Sequence, residues 1–335
     1  MPYLPENFVT RMATLEDAQA AVELVNACSV ELIGKPEFGL NRFRTDWSSP
    51  SLNPETDLHL VFTPDNKLVG YAGVWDAEPY VQLYGWGNVH PEYRGQGIGT
   101  YLAHWVEARA RRSIPMAPEG ARVALLQSRL SIDAAGQELL QQQGYQAIRY
   151  AFSMRIEMQA PLPEPVLPAG LVIRTFVREG QLRPLILAVR EIFRDHWGYV
   201  EPPFEEEYRE WVHLIDTHPE HDPSLWFLAL DGDEIAGVAL CQLKLAEDPE
   251  AGNVDTLGVR RAWRRRGLAL ALLHHSFREL YQRGQRAVIL DVDAQSLTGA
   301  TRLYEKAGMH VQYQSVNYEK TLRPGKDLRT ETVEE

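Results

Sequence analysis

The sequence predicts an α/β protein that carries two copies of one domain in tandem, on the strength of an internal repeat and a proline-rich divider. "NVHPEYRGQGIGTYLAHWVEARA" at 88–110 lies against "GVRRAWRRRGLALALLHHSFREL" at 258–280 without a gap, an offset of 258 − 88 = 170. The stretch "MQAPLPEPVLPAG" at 158–170 holds four prolines and has neither helical nor strand period, so it is expected to be a semi-rigid linker. With 335 residues, 44% of them hydrophobic, the chain can bury two cores of ordinary size. The expected boundaries are a first domain over 1–158, a linker over 159–170, a second domain over 171–323 and a tail over 324–335.

The elements follow in the same order in both copies. At the starts, "VTRMATLEDAQAAVELV" pairs with "VIRTFVREGQLRPLILAV", and Thr14 with Asp17 supplies an S/T-x-x-D/E helix start in the first. Next, "KLVGYAGVW" pairs with "EIAGVALCQ", both with the composition of half-buried strands. Each copy then has a strand ending in Val89 or Val259, a short loop, an Arg-x-x-Gly-x-Gly/Ala turn and an amphipathic helix. Downstream, "AAGQELLQQQGYQ" pairs with "LTGATRLYEKAGMH", a short helix stopped by Gly144 or Gly308 at the C′ position. The closing "KDLRTETVEE" is polar and without period, and is expected to be disordered.

Composition narrows the function. With 34 Lys+Arg against 46 Asp+Glu the net charge is −12, which opposes binding to nucleic acid and to anionic membrane. The N-terminus has no basic segment followed by an apolar run, and no run of apolar residues is long enough for a span. Cys28 and Cys241 stand 241 − 28 = 213 residues apart with no Cys/His cluster, so neither a disulfide framework nor a metal site is indicated. These features predict a cytoplasmic protein, monomer or homodimer, with a small-molecule partner.

A strand, a glycine-rich loop and a helix N-terminus together aim main-chain N–H groups and the positive end of the helix dipole at one spot. Phosphate is the usual guest, and Gly97 and Gly99, or Gly267 and Ala269, are small enough for it to approach the main chain. Neither a Walker loop nor a dinucleotide fingerprint fits: the chain has no Gly-Lys-Ser/Thr, and Leu102 stands where the third glycine of Gly-x-Gly-x-x-Gly belongs. The turns Arg94-Gly95-Gln96-Gly97-Ile98-Gly99 and Arg264-Arg265-Arg266-Gly267-Leu268-Ala269 instead match Q/R-x-x-G-x-G/A. With the following "LYEKAG" helix, this motif makes both halves resemble the GNAT N-acetyltransferase superfamily. The resemblance implies a mixed, mostly antiparallel central sheet flanked by helices in each domain, and acetyl-CoA as acyl donor with its pyrophosphate on the turn. It gives the arginine run a purpose, with Arg264 to Arg266 facing CoA phosphates and Arg260 and Arg261 as a solvated rim.

Acyl transfer from a thioester to an amine needs a base for an amine of pKa near 10, stabilisation of the oxyanion, and a proton for the departing thiolate. In the second copy the strand "NVDTLGV" carries Asp255 on the face of Leu257 and Val259, and Asp255 is the candidate base. The resemblance assigns Tyr304 as the acid, and main-chain groups at Leu257, Gly258 and Val259 as the oxyanion and CoA contacts, where the family's fourth strand splays from the fifth. At the offset of 170, Gly85 replaces Asp255. Leu140, in the helix before Gly144, replaces Tyr304. The asymmetry places catalysis in the second copy and makes the first a degenerate one that supports the fold or binds CoA. Where the family often has an Asn against the pantetheine arm, this chain offers Ser296 or Leu297. His196, Trp197, Tyr199 and Phe204 are candidates for an aromatic acceptor pocket, and Glu205 to Glu207 fit a solvated helix start. The expected function is N-acylation of a small amine; the alternative is an acyl-CoA-binding regulatory module without turnover.

Overall fold

The computed structural model describes residues 4, 6–160, 162, 164–218, 221–244, 248 and 250–332. In chain order, the first half forms β1 (Val9–Met12), α1 (Ala18–Ile33), α2 (Leu40–Trp47), α3 (Pro54–Asp57), β2 (Leu58–Phe62), β3 (Leu68–Asp76), β4 (Gln82–Val89), α4 (Ile98–Arg111), β5 (Val123–Leu130), α5 (Ala134–Gln142) and β6 (Gln146–Glu157). The second half forms β7 (Leu171–Thr175), α6 (Arg178–Phe193), α7 (Phe204–Thr217), β8 (Trp226–Asp231), β9 (Glu234–Gln242), β10 (Ala251–Val259), α8 (Leu268–Gln282), β11 (Ala287–Asp293), α9 (Ala300–Lys306) and β12 (His310–Arg323). No helix among the described residues is long and apolar enough to cross a membrane.

The chain folds into two compact units, and each is discontinuous in sequence. The first comprises Met1–Arg149, Pro202–His218 and Ser315–Leu328; the second comprises Tyr150–Glu201, Pro219–Gln314 and Arg329–Glu335. The first unit's sheet runs β1-β2-β3-β4-β5-β12, antiparallel throughout except for β4 against β5. Its last strand is borrowed: Ser315 to Arg323 pair with Leu130 to Val123 of β5. The second unit's sheet runs β7-β8-β9-β10-β11-β6, with β10 and β11 the parallel pair, and here Ala151 to Glu157 of β6 pair with β11. Each unit is thus a mixed sheet flanked by helices, closed by a strand from the other half of the sequence.

Local signals placed the elements well. Thr14 and Asp17 form a reciprocal capping box around a single 3-10 turn that leads into α1, and Arg11 holds the same carboxylate at 2.6 and 2.7 Å. Gly144 (φ +82°) and Gly308 (φ +93°) take the left-handed conformation after α5 and α9, and the next residue reaches back in a main-chain bond to Leu140 or Tyr304. The strands β3 and β9 are buried almost end to end rather than on one face. The reason is that helices cover both sides, α1 and α4 for β3 and α6 and α8 for β9.

Two segments without period are ordered by long-range bonds. In the expected linker, Leu162 and Leu167 pack on the second unit's core and Arg278 donates to the Leu162 carbonyl; Pro161 and Pro163 lie outside the described residues. In the expected tail, Lys326 exchanges main-chain bonds with Gly120 and Arg122, and Thr330 with Gly198 and Tyr199, so residues 326–330 are tied down rather than disordered. Residues 333–335 of that tail lie outside the described residues.

Candidate active site

The two glycine-rich turns have one geometry. After β4 or β10 a 3-10 turn (Pro91–Tyr93 or Arg261–Trp263) leads to two left-handed positions, Gly95 (φ +74°) and Gly97 (φ +83°) in the first unit, Arg265 (φ +59°) and Gly267 (φ +86°) in the second. A Cβ built on Gly97 or Gly267 meets nothing within 4 Å, so the space in front of the main chain is open. No side chain caps α4 or α8, and the first helical bonds are Tyr101 N–H to Gly97 and Ala271 N–H to Gly267. The amides of residues 98–100 and 268–270 are left to an incoming anion. Ile98 and Leu268 are each 1% exposed, so only their main chains can take part. Gly99 is small for another reason than the one read from the sequence: its Cβ would stand 3.2 Å from the Leu139 side chain, so it admits α5 rather than phosphate. Ala269, its counterpart, packs at the edge of the second unit's core.

The arginine run divides by partner. Arg260 pairs with Glu191 at 2.7 Å. Arg261 and Arg264 both bind Asp195, whose side chain is 1% exposed, and Arg264 also donates to the carbonyls of Val259 and Ile192. These contacts hold the Asp195 carboxyl down at about 2. The Arg264 guanidinium, expected at the phosphates, is therefore spent on bracing the turn, as Arg94 is on Glu31 in the first unit. Arg265 and Arg266 are exposed and have no partner among the described residues. Asp195 escaped the sequence reading because nothing in "FRDHW" ties it to arginines 66 to 69 residues away.

The strands behind the turns part. The strand β10 pairs with β11 only from Ala251 to Asn253, and β4 with β5 only from Gln82 to Tyr84. Arg260 N–H bonds to Ala236 on the β9 side, so by alternation the N–H groups of Leu257 and Val259 face the open edge. Gly258 is fixed by packing, since a Cβ there would meet Ile192 Cγ2 at 2.1 Å. Asp255 is exposed and is the extra residue of a bulge between Val254 and Thr256, its carboxylate accepting from the Thr256 hydroxyl at 3.2 Å. The β3–β4 ladder has no such shift, and Gly85 is buried with Val106 2.6 Å from where its Cβ would be. The ungapped offset that equated Gly85 with Asp255 therefore pairs an inward packing position with an outward bulge.

Tyr304 sits on α9 at 7% exposure, within the apolar cluster of the second unit, and burial pushes its phenol up to about 12. The Ser296 hydroxyl is used locally, toward Thr298 and the Ala300 N–H, and caps the approach to α9. The four aromatic pocket candidates divide between the two units. His196, Trp197 and Tyr199 follow α6 in the second unit, where burial lowers the His196 pKa and Arg329 stacks over Trp197 at 5.2 Å. Phe204 begins α7, which belongs to the first unit, and Glu205 to Glu207 occupy that helix's first turn.

In the first unit the turn opens into a groove of about 450 Å³ lined by Arg94, Gly95, Gly97, Asn88 and Arg129, among others. Arg129 donates to the Gly87 carbonyl at 2.9 Å and Cys28 to that of Val89, both on the open side of β4. Neither residue was singled out from sequence, since an isolated Arg or Cys in a strand or helix carries no motif.

Residues 186–309 match the Acetyltransferase (GNAT) family and residues 55–147 match an Acetyltransferase (GNAT) domain. A mycothiol acetyltransferase of Streptomyces bingchenggensis is 30% identical over 75% of this chain and 77% of its own, and one of Nocardia farcinica is 29% identical over 79% and 83%. Among solved structures, a GCN5-related N-acetyltransferase from Sphaerobacter thermophilus is 37% identical with a TM-score of 0.80, covering 98% of this chain and 100% of that one. A tandem GNAT protein from the clavulanic acid biosynthesis pathway shares the fold at 14% identity and a TM-score of 0.70, over 95% and 100% of the two chains. The non-catalytic reading of the chain gives way, and the turn that admits phosphate, found twice, has its explanation: the chain belongs to the GNAT family of acetyltransferases and is an N-acetyltransferase with acetyl-CoA as acyl donor.

Proposed function

We propose that the second unit transfers the acetyl group to the nitrogen of a small amine, by direct attack on the thioester. The observation that carries this reading is the splayed half of β10, with its bulged Asp255, in the same unit as Tyr304. Acetyl-CoA supplies an activated acyl group. Around it, the amides after Gly267, with Arg265 and Arg266, hold the phosphates. The open N–H groups of Leu257 and Val259 face the acyl oxygen, where negative charge develops. As the N–C bond forms the nitrogen becomes acidic, and Asp255 takes its proton directly or through a water. Tyr304 hydrogen-bonds the departing sulfur. The relatives named mycothiol acetyltransferase make mycothiol-related amines the first acceptors to assay.

The test is acetyl-CoA-dependent thiol release with a panel of primary amines, run on the wild type, Gly267→Val and Gly97→Val. Valine in the second turn strains a left-handed position and fills the phosphate space, so turnover is expected to collapse. Gly97→Val is expected to leave turnover within about tenfold, a barrier change of roughly 1.4 kcal/mol. Loss of turnover in Gly97→Val, with the second turn still binding acetyl-CoA, would move the chemistry to the first unit.

Arg265 gives an independent check on the phosphate assignment. Arg265→Gly relieves a left-handed arginine, a strain of about 1 kcal/mol, and the gain is offset by the added freedom of the unfolded chain. Melting temperature should therefore hardly change while calorimetry shows weaker acetyl-CoA binding. Equal affinity in this variant would remove Arg265 from the phosphate site.

A further inference from the structure

We propose that the first unit carries a binding site for an organic cation with an apolar body, set beside the groove of its own glycine-rich turn. The site is a cavity of about 730 Å³, within the range of small-molecule pockets, formed by α1, α2, the inner strands and α7. Its aromatic lining includes Phe38, Trp75, Trp86 and Trp211. The polar edges of the wall are already satisfied: Trp75 Nε1 donates to Ser51 at 2.7 Å, and Trp47 Nε1 to Tyr71 at 3.1 Å. What the wall has left to offer is ring surface.

The sign of the guest follows from the charges. Four carboxylates line the cavity. Asp46 faces Arg42 at 3.7 Å, and Asp133 faces Arg129 at 3.9 Å. Glu37 accepts from Ser29 at 2.8 Å and Glu210 from Ser49 at 2.9 Å, and neither has a cationic partner among the described residues. The remaining basic group, His213, donates Nε2–H to the Thr45 carbonyl at 2.9 Å, because a carbonyl can only accept. The lining is thus two negative charges in excess, beside aromatic faces that attract ammonium and guanidinium groups. An acyl chain in the same space would strip water from Glu37 and Glu210 and give them nothing in return. An anion would be repelled by both.

This site does not depend on where acetyl transfer takes place, because it is built from the first unit alone. Glu210 and Trp211 come to it on α7, a helix of the second copy's sequence that belongs to the first unit. Cys28, Trp86, Asn88, Arg129 and Asp133 line both the cavity and the groove at the turn, so the two spaces share a wall.

The probe is 2-phenylethylammonium, titrated into the full chain by calorimetry, against neutral 2-phenylethanol. Saturable binding at least tenfold tighter for the ammonium is expected. In the double variant Glu37→Gln, Glu210→Gln that preference should fall at least tenfold, with melting temperature and acetyl-CoA affinity unchanged. If the double variant does not fold, each single variant reads the same contrast. Equal affinity for the two probes, or an ammonium preference that survives both substitutions, overturns the proposal. Tighter binding of octanoyl-CoA than of acetyl-CoA, indifferent to both substitutions, assigns the cavity to an acyl chain and overturns it as well.

Discussion

Tyr304→Phe is expected to lower kcat on the order of 10²-fold while leaving the melting temperature and acetyl-CoA affinity nearly as they are. The ring lies in an apolar cluster, which phenylalanine fills equally well. In the role proposed for it, what is lost is the hydroxyl at the departing sulfur. Burial holds that phenol at about 12, whereas an ordinary thiol titrates near 8.5. Full transfer of the proton to the thiolate is uphill by roughly 3.5 units, about 5 kcal/mol, so the hydroxyl acts chiefly as a hydrogen-bond donor that stays protonated. A bond to a charged group is worth up to about 3 kcal/mol, which sets the hundredfold scale. The same reasoning predicts no loss of kcat from Tyr304 ionisation between about pH 8 and pH 10. A variant with wild-type kcat and a lowered melting temperature would make Tyr304 a packing residue.

The largest stability effect is expected at Asp195→Asn. Removing one partner of a fully buried ion pair costs about 3 to 5 kcal/mol, but Arg261 keeps much of its contact with solvent, so about 2 to 3 kcal/mol is the better figure here. Arg264 is left with two carbonyls and no counter-charge, and the turn it braces loosens, so the KM for acetyl-CoA should rise as well. The pH dependence has a definite sign. The Asp195 carboxyl is held at about 2, below the value near 3.9 of an unfolded chain. Its contribution is therefore complete above about pH 4 and is lost as pH falls toward 2. Denaturant melts at pH 7 and across this acid window check both points. A variant as stable as the wild type at pH 7, with the same acid profile, would show that the arginines find other partners.

The sequence revealed the features that a bound phosphate or a local turn imposes. The Arg-x-x-Gly-x-Gly/Ala turns, the box at Thr14 and Asp17, and the stops at Gly144 and Gly308 each depend on residues within a few positions, so short stretches display them. The misreadings arise from longer range. Gly99 was assigned to phosphate because nothing nearby in sequence announces Leu139 above it. Arg264 was assigned to the ligand because its buried partner stands far off in sequence, in the turn after α6. Asp255 was matched to Gly85 because the ungapped offset runs on through a single-residue bulge that the sequence does not display. The borrowed strands were invisible for a related reason: alternation specifies a strand's faces, and says nothing of which neighbour it joins.

Those borrowed strands affect how the protein is made. The place beside β5 is filled by residues 315–323, which begin 315 − 130 = 185 residues after β5 ends. Until then a nascent first half presents the unpaired N–H and C=O groups of β5, a template for pairing with other chains. Most of that half can collapse early, since β1 to β5 and α1 to α5 are all present. Its completion still waits for β12, so that edge has to be shielded while the rest of the second half is synthesised.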